Sequence, residues 1–146
     1  MPHAHISLVT LGVTDVVRAA RFYEALGFKR KMRGAPESEV AFFDAGTVAL
    51  SLYVVSGIAR DAGFPEDTRP PAFRASSVAW NCDSPDDVDV VMALAGDAGG
   101  TQLVPAKKAA WGGYHGHFAD PDGNIWEVAH NPQFPLSPDG TPILPD

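Results

Sequence analysis

The hydrophobic and polar positions of the chain repeat one pattern twice. Alternating apolar positions predict a strand over residues 5–13, and apolar residues at helical spacing from Val16 onwards predict the helix that follows. Three more strands, at residues 28–33, 40–44 and 48–55, complete the first copy. The second copy has predicted strands at residues 76–82, 101–105, 113–119 and 125–130, with one helix after the first of them. The pattern therefore predicts two βαβββ modules and an α+β fold.

Capping residues support both helix assignments. Thr14 or Asp15 can accept a hydrogen bond from the first turn of the first helix. Asp83 or Ser84 can do the same for the second helix, and Pro85 fits its first position, where no N–H is needed. The apolar stripes are Val16, Ala19, Ala20, Tyr23 and Leu26 in the first helix and Val88, Val91, Met92 and Ala95 in the second.

We expect the chain to form one domain of residues 1–146, because this length suits a single hydrophobic core. Module one covers about residues 5–56 and module two about residues 75–131. Several prolines and glycines at residues 57–74 predict a linker in loop conformation. Four prolines after His130 predict that residues 132–146 form an extended tail.

Composition excludes several classes of function. The formal net charge of -7 and the pI near 5.0 argue against a nucleic-acid surface. The same charge would favour a cationic ligand, and ordinary solubility is the other explanation for it. With 45% hydrophobic residues but no apolar run long enough to span a bilayer, the chain is expected to have no membrane partner. No signal peptide is recognisable, and one cysteine, Cys82, suits the reducing cytoplasm.

A tight turn near the C-terminus fixes the register of two strands. Residues 120–123 read Asp-Pro-Asp-Gly, which has the residue preferred at each turn position and a glycine where φ is positive. Counting outwards places Phe118 opposite Trp126 and His117 opposite Glu127. One face of the hairpin is therefore aromatic, and the other face is ionisable.

The segment from His117 to Ala129 resembles the vicinal oxygen chelate superfamily, which includes glyoxalase I, bleomycin and fosfomycin resistance proteins and extradiol dioxygenases. The resemblance extends to residues 11–15, 21–23 and 26–28 and spans roughly residues 5 to 131. It implies curved mixed sheets around a cavity for a small organic ligand. It also implies a homodimer, because paired modules in this superfamily commonly come from two chains.

The same resemblance implies four metal-ligand positions, of which only Glu127 carries a suitable residue. Leu8, Ser51 and Ser77 occupy the other three, and a leucine and two neutral hydroxyls are unsuitable ligands for a divalent ion. We therefore expect a metal-free cavity without a metal cofactor. Metal-dependent glyoxalase I activity is not expected.

Strand alternation places His115, His117 and Glu127 on the concave face. Cross-strand neighbours have Cβ atoms about 5 Å apart, so His117 is expected to touch Glu127 while His115 lies one step further. Three interpretations remain open at this point. The group can be a structural ion pair, a ligand-binding or acid/base pair, or a metal site of all three residues, although their spacing along one strand strains convergence on an ion.

Two aromatic residues are further candidates for the ligand cavity. Tyr53 shares the strand face of Ser51, and Trp111 precedes two glycines that would allow either a mobile rim or a plain loop with a packing tryptophan. The ligand-binding candidates are thus Leu8, Ser51, Tyr53, Ser77, Trp111 and His115. We expect a lyase or isomerase with Glu127 and His117 as proton carriers, or alternatively a non-catalytic drug-sequestering protein of the bleomycin resistance type.

Overall fold

The computed structural model describes residues 1–34, 36 and 38–146, so Ala35 and Glu37 lie outside the description. The chain divides into two compact units, Met1–Pro70 and Pro71–Asp146. The division falls inside the predicted linker at residues 57–74. Each unit contains one four-stranded mixed sheet, which confirms the predicted α+β fold class. In the part of the chain that the structure describes, no helix has the length and apolar character needed to cross a membrane.

The first unit follows the predicted βαβββ order and adds one helix. Its elements are β1 (Leu8–Val13), α1 (Val16–Ala25), β2 (Lys29–Lys31), β3 (Val40–Asp44), β4 (Ala49–Val54) and α2 (Val55–Asp61). The strand order is β1-β4-β3-β2, and β1 pairs with β4 in parallel while the other pairs are antiparallel. The first and last strands of the unit are therefore neighbours in the sheet.

Helix α1 begins at one of the two predicted caps. The Asp15 side chain accepts a hydrogen bond from the backbone N–H of Arg18 at 3.0 Å, and Gly27 follows the helix with a φ of 98°. The buried face contains the predicted stripe and also Phe22, whose ring lies edge-on to Tyr23 at 5.1 Å between centroids. Burial of this apolar face holds α1 against its own unit's sheet.

Helix α2 corrects the prediction of a loop from residue 57 onwards. Only the part of that segment after Asp61 lacks regular structure. The helix was missed because it is seven residues long, has no side-chain cap and contains Gly57, which weakens helical signals. The glycine is needed there, since a Cβ at Gly57 would lie 2.5 Å from Cζ of Tyr53.

The second unit repeats the βαβββ order without an additional helix. Its elements are β5 (Val78–Asn81), α3 (Pro85–Asp97), β6 (Thr101–Lys108), β7 (Tyr114–Ala119) and β8 (Ile125–His130). The strand order is β5-β8-β7-β6, with β5 and β8 parallel. Helix α3 starts as predicted, because Ser84 caps it by accepting a hydrogen bond from Asp87 N at 3.2 Å and Pro85 is its first residue.

Some element boundaries differ from the prediction. Strands β1 and β5 begin two or three residues later than expected, so Ser77 immediately precedes β5. Strand β6 continues past Pro105 to Lys108, which is possible because it is an edge strand and its irregular register leaves some backbone groups unpaired. The tail after His130 contains one isolated bridge between Leu136 and Pro142.

Candidate functional site

The turn between β7 and β8 is held by one buried carboxylate. Oδ1 of Asp120 accepts hydrogen bonds from the backbone N–H groups of Asp122 and Asn124, each at 2.9 Å. Oδ2 accepts a third from the Asn124 side-chain amide at 2.9 Å. Gly123 has a φ of 87°, as the turn requires. These contacts fix the register of the two strands that carry the site.

A guanidinium group also binds this turn. Arg74 donates from Nη1 to Oδ1 of Asn124 and from Nη2 to the carbonyl oxygen of Asp122, both at 2.6 Å. Arg74 could not be recognised from the sequence, because it lies in an irregular segment about fifty residues before its partners and no local pattern links them. Arg74 thus joins the start of the second unit to the site hairpin.

The predicted register of β7 and β8 is confirmed. Phe118 pairs with Trp126 and His117 pairs with Glu127. The Phe118 and Trp126 rings are stacked at 6.0 Å between centroids with an interplanar angle of 3°, and both residues are buried. A Cβ at Gly116, on the same face, would lie 3.1 Å from Cε of Met92 in α3. The aromatic face therefore packs under the helix, and the histidines lie on the other face.

One further contact confirms which face meets α3. The Tyr114 hydroxyl donates a hydrogen bond to Oδ1 of Asp89 at 2.7 Å, and this bond raises the pKa of Tyr114. Tyr114 and Gly116 alternate with His115 and His117 along β7. The inward and outward assignments made from strand alternation thus hold for β7.

The ionisable face brings His115, His117 and Glu127 together. Nδ1 of His115 donates to Oε2 of Glu127 at 2.7 Å, whereas Nε2 of His117 lies 3.6 Å from the same oxygen. The strand register predicts His117 as the nearer imidazole, and this prediction is wrong because His115 is closer to Glu127. The register does place His117 opposite Glu127, but the long Glu127 side chain reaches the diagonal neighbour. All three side chains are half-buried, with 21%, 28% and 30% of their surface exposed.

Trp111 lies beside this group. Its ring is edge-on to His115, with 5.2 Å between centroids and an angle of 82°, and the residue is 43% exposed. Gly113 allows this position, because a Cβ there would overlap the Trp111 ring. The tryptophan therefore packs against the site and also presents surface to solvent.

A cavity of about 530 Å³ opens within the second unit next to His117. Its apolar wall consists of Phe73, Leu103, Val104 and Ile125. Ser76 and Ser77 add hydroxyl side chains, and His117 is a titratable group among the lining residues. The size is within the range of small-molecule sites. Of the residues predicted from sequence, His117 and Ser77 line this cavity, while the residues of the apolar wall were not identified.

The remaining predicted ligand-binding residues belong to the first unit. Leu8 begins β1 and is 42% exposed, whereas Ser51 on β4 is only 3% exposed. Tyr53, also on β4, packs its ring against Gly57, and its hydroxyl accepts a hydrogen bond from Nη2 of Arg60 at 3.2 Å. Tyr53 is therefore already engaged by α2.

The four metal positions that the resemblance implies hold one carboxylate and no imidazole. Leu8, Ser51 and Ser77 offer no imidazole or carboxylate, so Glu127 is the lone suitable donor among them. A different set does converge, since His115, His117 and Glu127 each place one donor atom within 4.8 Å of the others. Two ligands of one tetrahedral zinc lie about 3.3 Å apart, given bonds of about 2.0 to 2.1 Å. The distance of 2.7 Å between His115 and Glu127 instead matches a hydrogen bond.

Comparisons with known proteins agree on one family. The structure of a glyoxalase-related enzyme from Fulvimarina pelagi is similar to this one, with a TM-score of 0.84 and 33% sequence identity. The match covers 96% of this chain and 97% of the enzyme's chain. Lactoylglutathione lyase from Agrobacterium tumefaciens shares the fold, with a TM-score of 0.66 and 21% sequence identity. The match covers 89% of this chain and 96% of the lyase chain. No curated protein matches the chain. The sequence model for the Glyoxalase/Bleomycin resistance protein/Dioxygenase superfamily matches residues 5–128. The chain therefore belongs to this superfamily.

Proposed function

We propose that the chain binds a small organic ligand in the cavity of the second unit without a metal ion, and that His117 and Glu127 exchange protons with it. One observation carries the proposal. His117 lines the cavity and at the same time lies 3.6 Å from the Glu127 carboxylate. An imidazole beside a carboxylate at the end of an apolar pocket is a suitable general acid or base.

The three side chains have different roles in this proposal. His117 takes a proton from the ligand or returns one to it, and Glu127 accepts that proton from His117 and gives it back, as in a lyase or isomerase reaction that moves a proton next to a carbonyl group. His115 is a positioning residue, because its hydrogen bond at 2.7 Å holds the Glu127 carboxylate in place. The apolar side chains beside His117 would contact the body of the ligand.

Glu127→Gln tests the proposal because it keeps the shape of the side chain and removes its charge. We expect the variant to melt close to the wild type and to lose the thermal shift produced by any ligand found in a metabolite panel. Glu24→Gln is the matched control, since Glu24 forms a surface ion pair with Arg33 in the first unit. If Glu127→Gln weakens folding but leaves ligand affinity unchanged, the ion pair is structural and the proposal fails.

The second candidate function is sequestration of a drug without turnover. The partly exposed Trp111 ring and the apolar cavity wall favour it, because aromatic and apolar surfaces bind amphipathic compounds without chemistry. Incubation followed by mass spectrometry separates the two functions. A sequestering protein returns the ligand intact, whereas an enzyme converts it.

The absence of a bound divalent metal ion is a prediction that elemental analysis can test. We expect dialysed protein to contain no stoichiometric divalent ion, because three of the four implied ligand positions lack an imidazole or carboxylate and Glu127 is hydrogen-bonded to His115. We also expect no activity with methylglyoxal and glutathione. Near-stoichiometric zinc, nickel, manganese or iron in elemental analysis after dialysis would contradict this.

We further propose that two copies of the chain form a homodimer in the cytoplasm. The pairing of modules across chains in this superfamily supports the dimer, and a single cysteine, Cys82, supports a reducing compartment. Light scattering on the purified protein measures the mass of the assembly directly. A monomeric mass at micromolar concentration would argue against the dimer.

A further inference from the structure

One wall of the cavity comes from a segment without regular structure. Four of the lining residues, Phe73, Ala75, Ser76 and Ser77, belong to the stretch that precedes β5. None of the backbone hydrogen bonds described outside the helices and strands involves residues 71–76. Side-chain contacts therefore have to contribute to the position of this wall.

Arg74 supplies such contacts. Its guanidinium group donates to Oδ1 of Asn124 and to the carbonyl oxygen of Asp122, each at 2.6 Å. A Cβ at Gly123 would be in van der Waals contact with Nη2 of Arg74 at 3.4 Å, so the group lies directly against the turn. Asn124 is only 8% exposed and is followed by Ile125, which lines the same cavity. Arg74 therefore ties two walls of the cavity together.

The backbone next to Arg74 is strained. Ala75 has a φ of 54°, in the left-handed region that residues other than glycine rarely adopt. Such a residue keeps its conformation only where neighbouring contacts impose it. The hydrogen bonds of Arg74 come from the adjacent residue, so they are suited to impose it. Without them, we expect residues 73–76 to lose the conformation that forms the wall.

Phe73 is the lining residue whose position this arrangement controls. It is 74% exposed although it lines a largely apolar cavity. Covering an exposed aromatic ring with a ligand is favourable, because it removes apolar surface from water. Leu103 and Val104 extend the apolar surface, and the described lining residues include no carboxylate, ammonium or guanidinium group. An uncharged apolar group therefore suits this part of the cavity.

We propose that Phe73 determines which ligand is bound, by packing on an uncharged aryl group, and that Arg74 is the positioning residue that holds Phe73 at the cavity. This rests on the proposed function, since it requires an organic ligand in the same cavity. Two aromatic rings attract each other in stacked or edge-on arrangements beyond the area that they bury. The remainder of the ligand would meet His117 and Ile125.

Binding of N-phenyl-1-naphthylamine, an uncharged aryl probe whose fluorescence rises in apolar surroundings, tests the role of Phe73. We expect Phe73→Ala to weaken probe binding about tenfold or more, as truncation of an aromatic anchor commonly does. Phe64→Ala is the matched control, because Phe64 is 61% exposed and does not line this cavity. The control should change the affinity by no more than about twofold.

A double-mutant cycle tests whether Arg74 acts through Phe73. Arg74→Met keeps the length of the side chain and removes both hydrogen bonds, and it should weaken probe binding about tenfold. In the Phe73→Ala background the same substitution should change the affinity less than about twofold, because the ring that Arg74 positions is already gone. Arg69→Met is the control, since the Arg69 hydrogen bond goes to the adjacent Thr68 carbonyl. If Arg74→Met does not fold, Arg74→Lys replaces it in the cycle, because an ammonium group lacks the planar fork of a guanidinium.

Three results would overturn the inference. They are no probe binding by the wild type, a Phe73→Ala affinity within about twofold of the wild type, and equal effects of the Arg74 substitution with and without the Phe73 ring. Equal effects would show that Arg74 supports the fold and does not act through Phe73. None of these results decides whether Glu127 and His117 exchange protons with a ligand. Glu127→Gln and the metabolite panel test that separately, so the two proposals can fail independently.

Discussion

Two buried polar side chains of the second unit, Asp120 and Cys82, differ in whether hydrogen bonds compensate for their burial. Asp120 is only 3% exposed, yet its two carboxylate oxygens accept three hydrogen bonds from the turn. Burial is tolerated because these bonds replace those to water. Cys82 is also buried, and there burial raises the pKa of its thiol to about 11, with smaller contributions from Asp87 and Asp83. Burial is thus offset by hydrogen bonds at Asp120, whereas at Cys82 it favours the protonated thiol.

We predict that Cys82 reacts slowly with thiol reagents in the folded protein. At pH 8 the raised pKa leaves the thiol protonated, and the thiolate is the reactive form. Because the pKa is raised from 9.0 to about 11, this residue should lower stability as the pH rises through that interval. Labelling kinetics with and without urea measure the difference. Equally fast labelling of the folded and unfolded chain would contradict the prediction.

At the scale of elements, the two faces of the β7–β8 hairpin differ, because one packs against the helix layer and the other carries the titratable side chains. Phe118 and Trp126 attach the hairpin to the helix layer, while His115, His117 and Glu127 form the polar group on the opposite face. Because side chains alternate along a strand, a shift of one residue in the register would exchange the faces. The Asp120 turn therefore fixes which side chains lie on each face.

Trp126→Ala should destabilise the protein by roughly 3 to 5 kcal/mol, the usual effect of removing a large buried aromatic side chain. Urea unfolding followed by circular dichroism gives the free energy. Trp111→Ala is the matched control, since Trp111 is 43% exposed, and we expect its effect to stay below about 1 kcal/mol. A Trp126 variant within about 1 kcal/mol of the wild type would show that the inside and outside assignment of β8 is reversed.

Elements with strong local signals could be predicted from the sequence. The cap at Asp15, the proline at Pro85 and the turn at residues 120–123 each depend on neighbouring residues, and the structure confirms them. The contacts that could not be predicted from the sequence depend on residues far apart in the chain or on side-chain torsion angles. Arg74 meets a partner fifty residues away, and the choice between two imidazoles depends on how the Glu127 side chain is turned.

At the scale of the whole molecule, two units repeat one plan with different side chains. In each unit the first and last strands pair in parallel, and a helix packs on the sheet. The titratable group His115, His117 and Glu127 belongs to the second unit, and the aromatic cluster around Tyr23 and Phe43 belongs to the first. The repeat could be read from the sequence because strand and helix periodicities recur in the same order.

The parallel pairing within each unit has a consequence for how the protein is made. Val78 of β5 pairs with Trp126 of β8. The first strand of this unit to be synthesised therefore cannot pair until the last strand has been synthesised. Arg74 likewise binds Asn124. Such non-local contacts form slowly, and the incomplete sheet exposes apolar edges meanwhile. We therefore expect the second sheet to be completed only after β8 has left the ribosomal exit tunnel, because β8 is the sheet neighbour of β5.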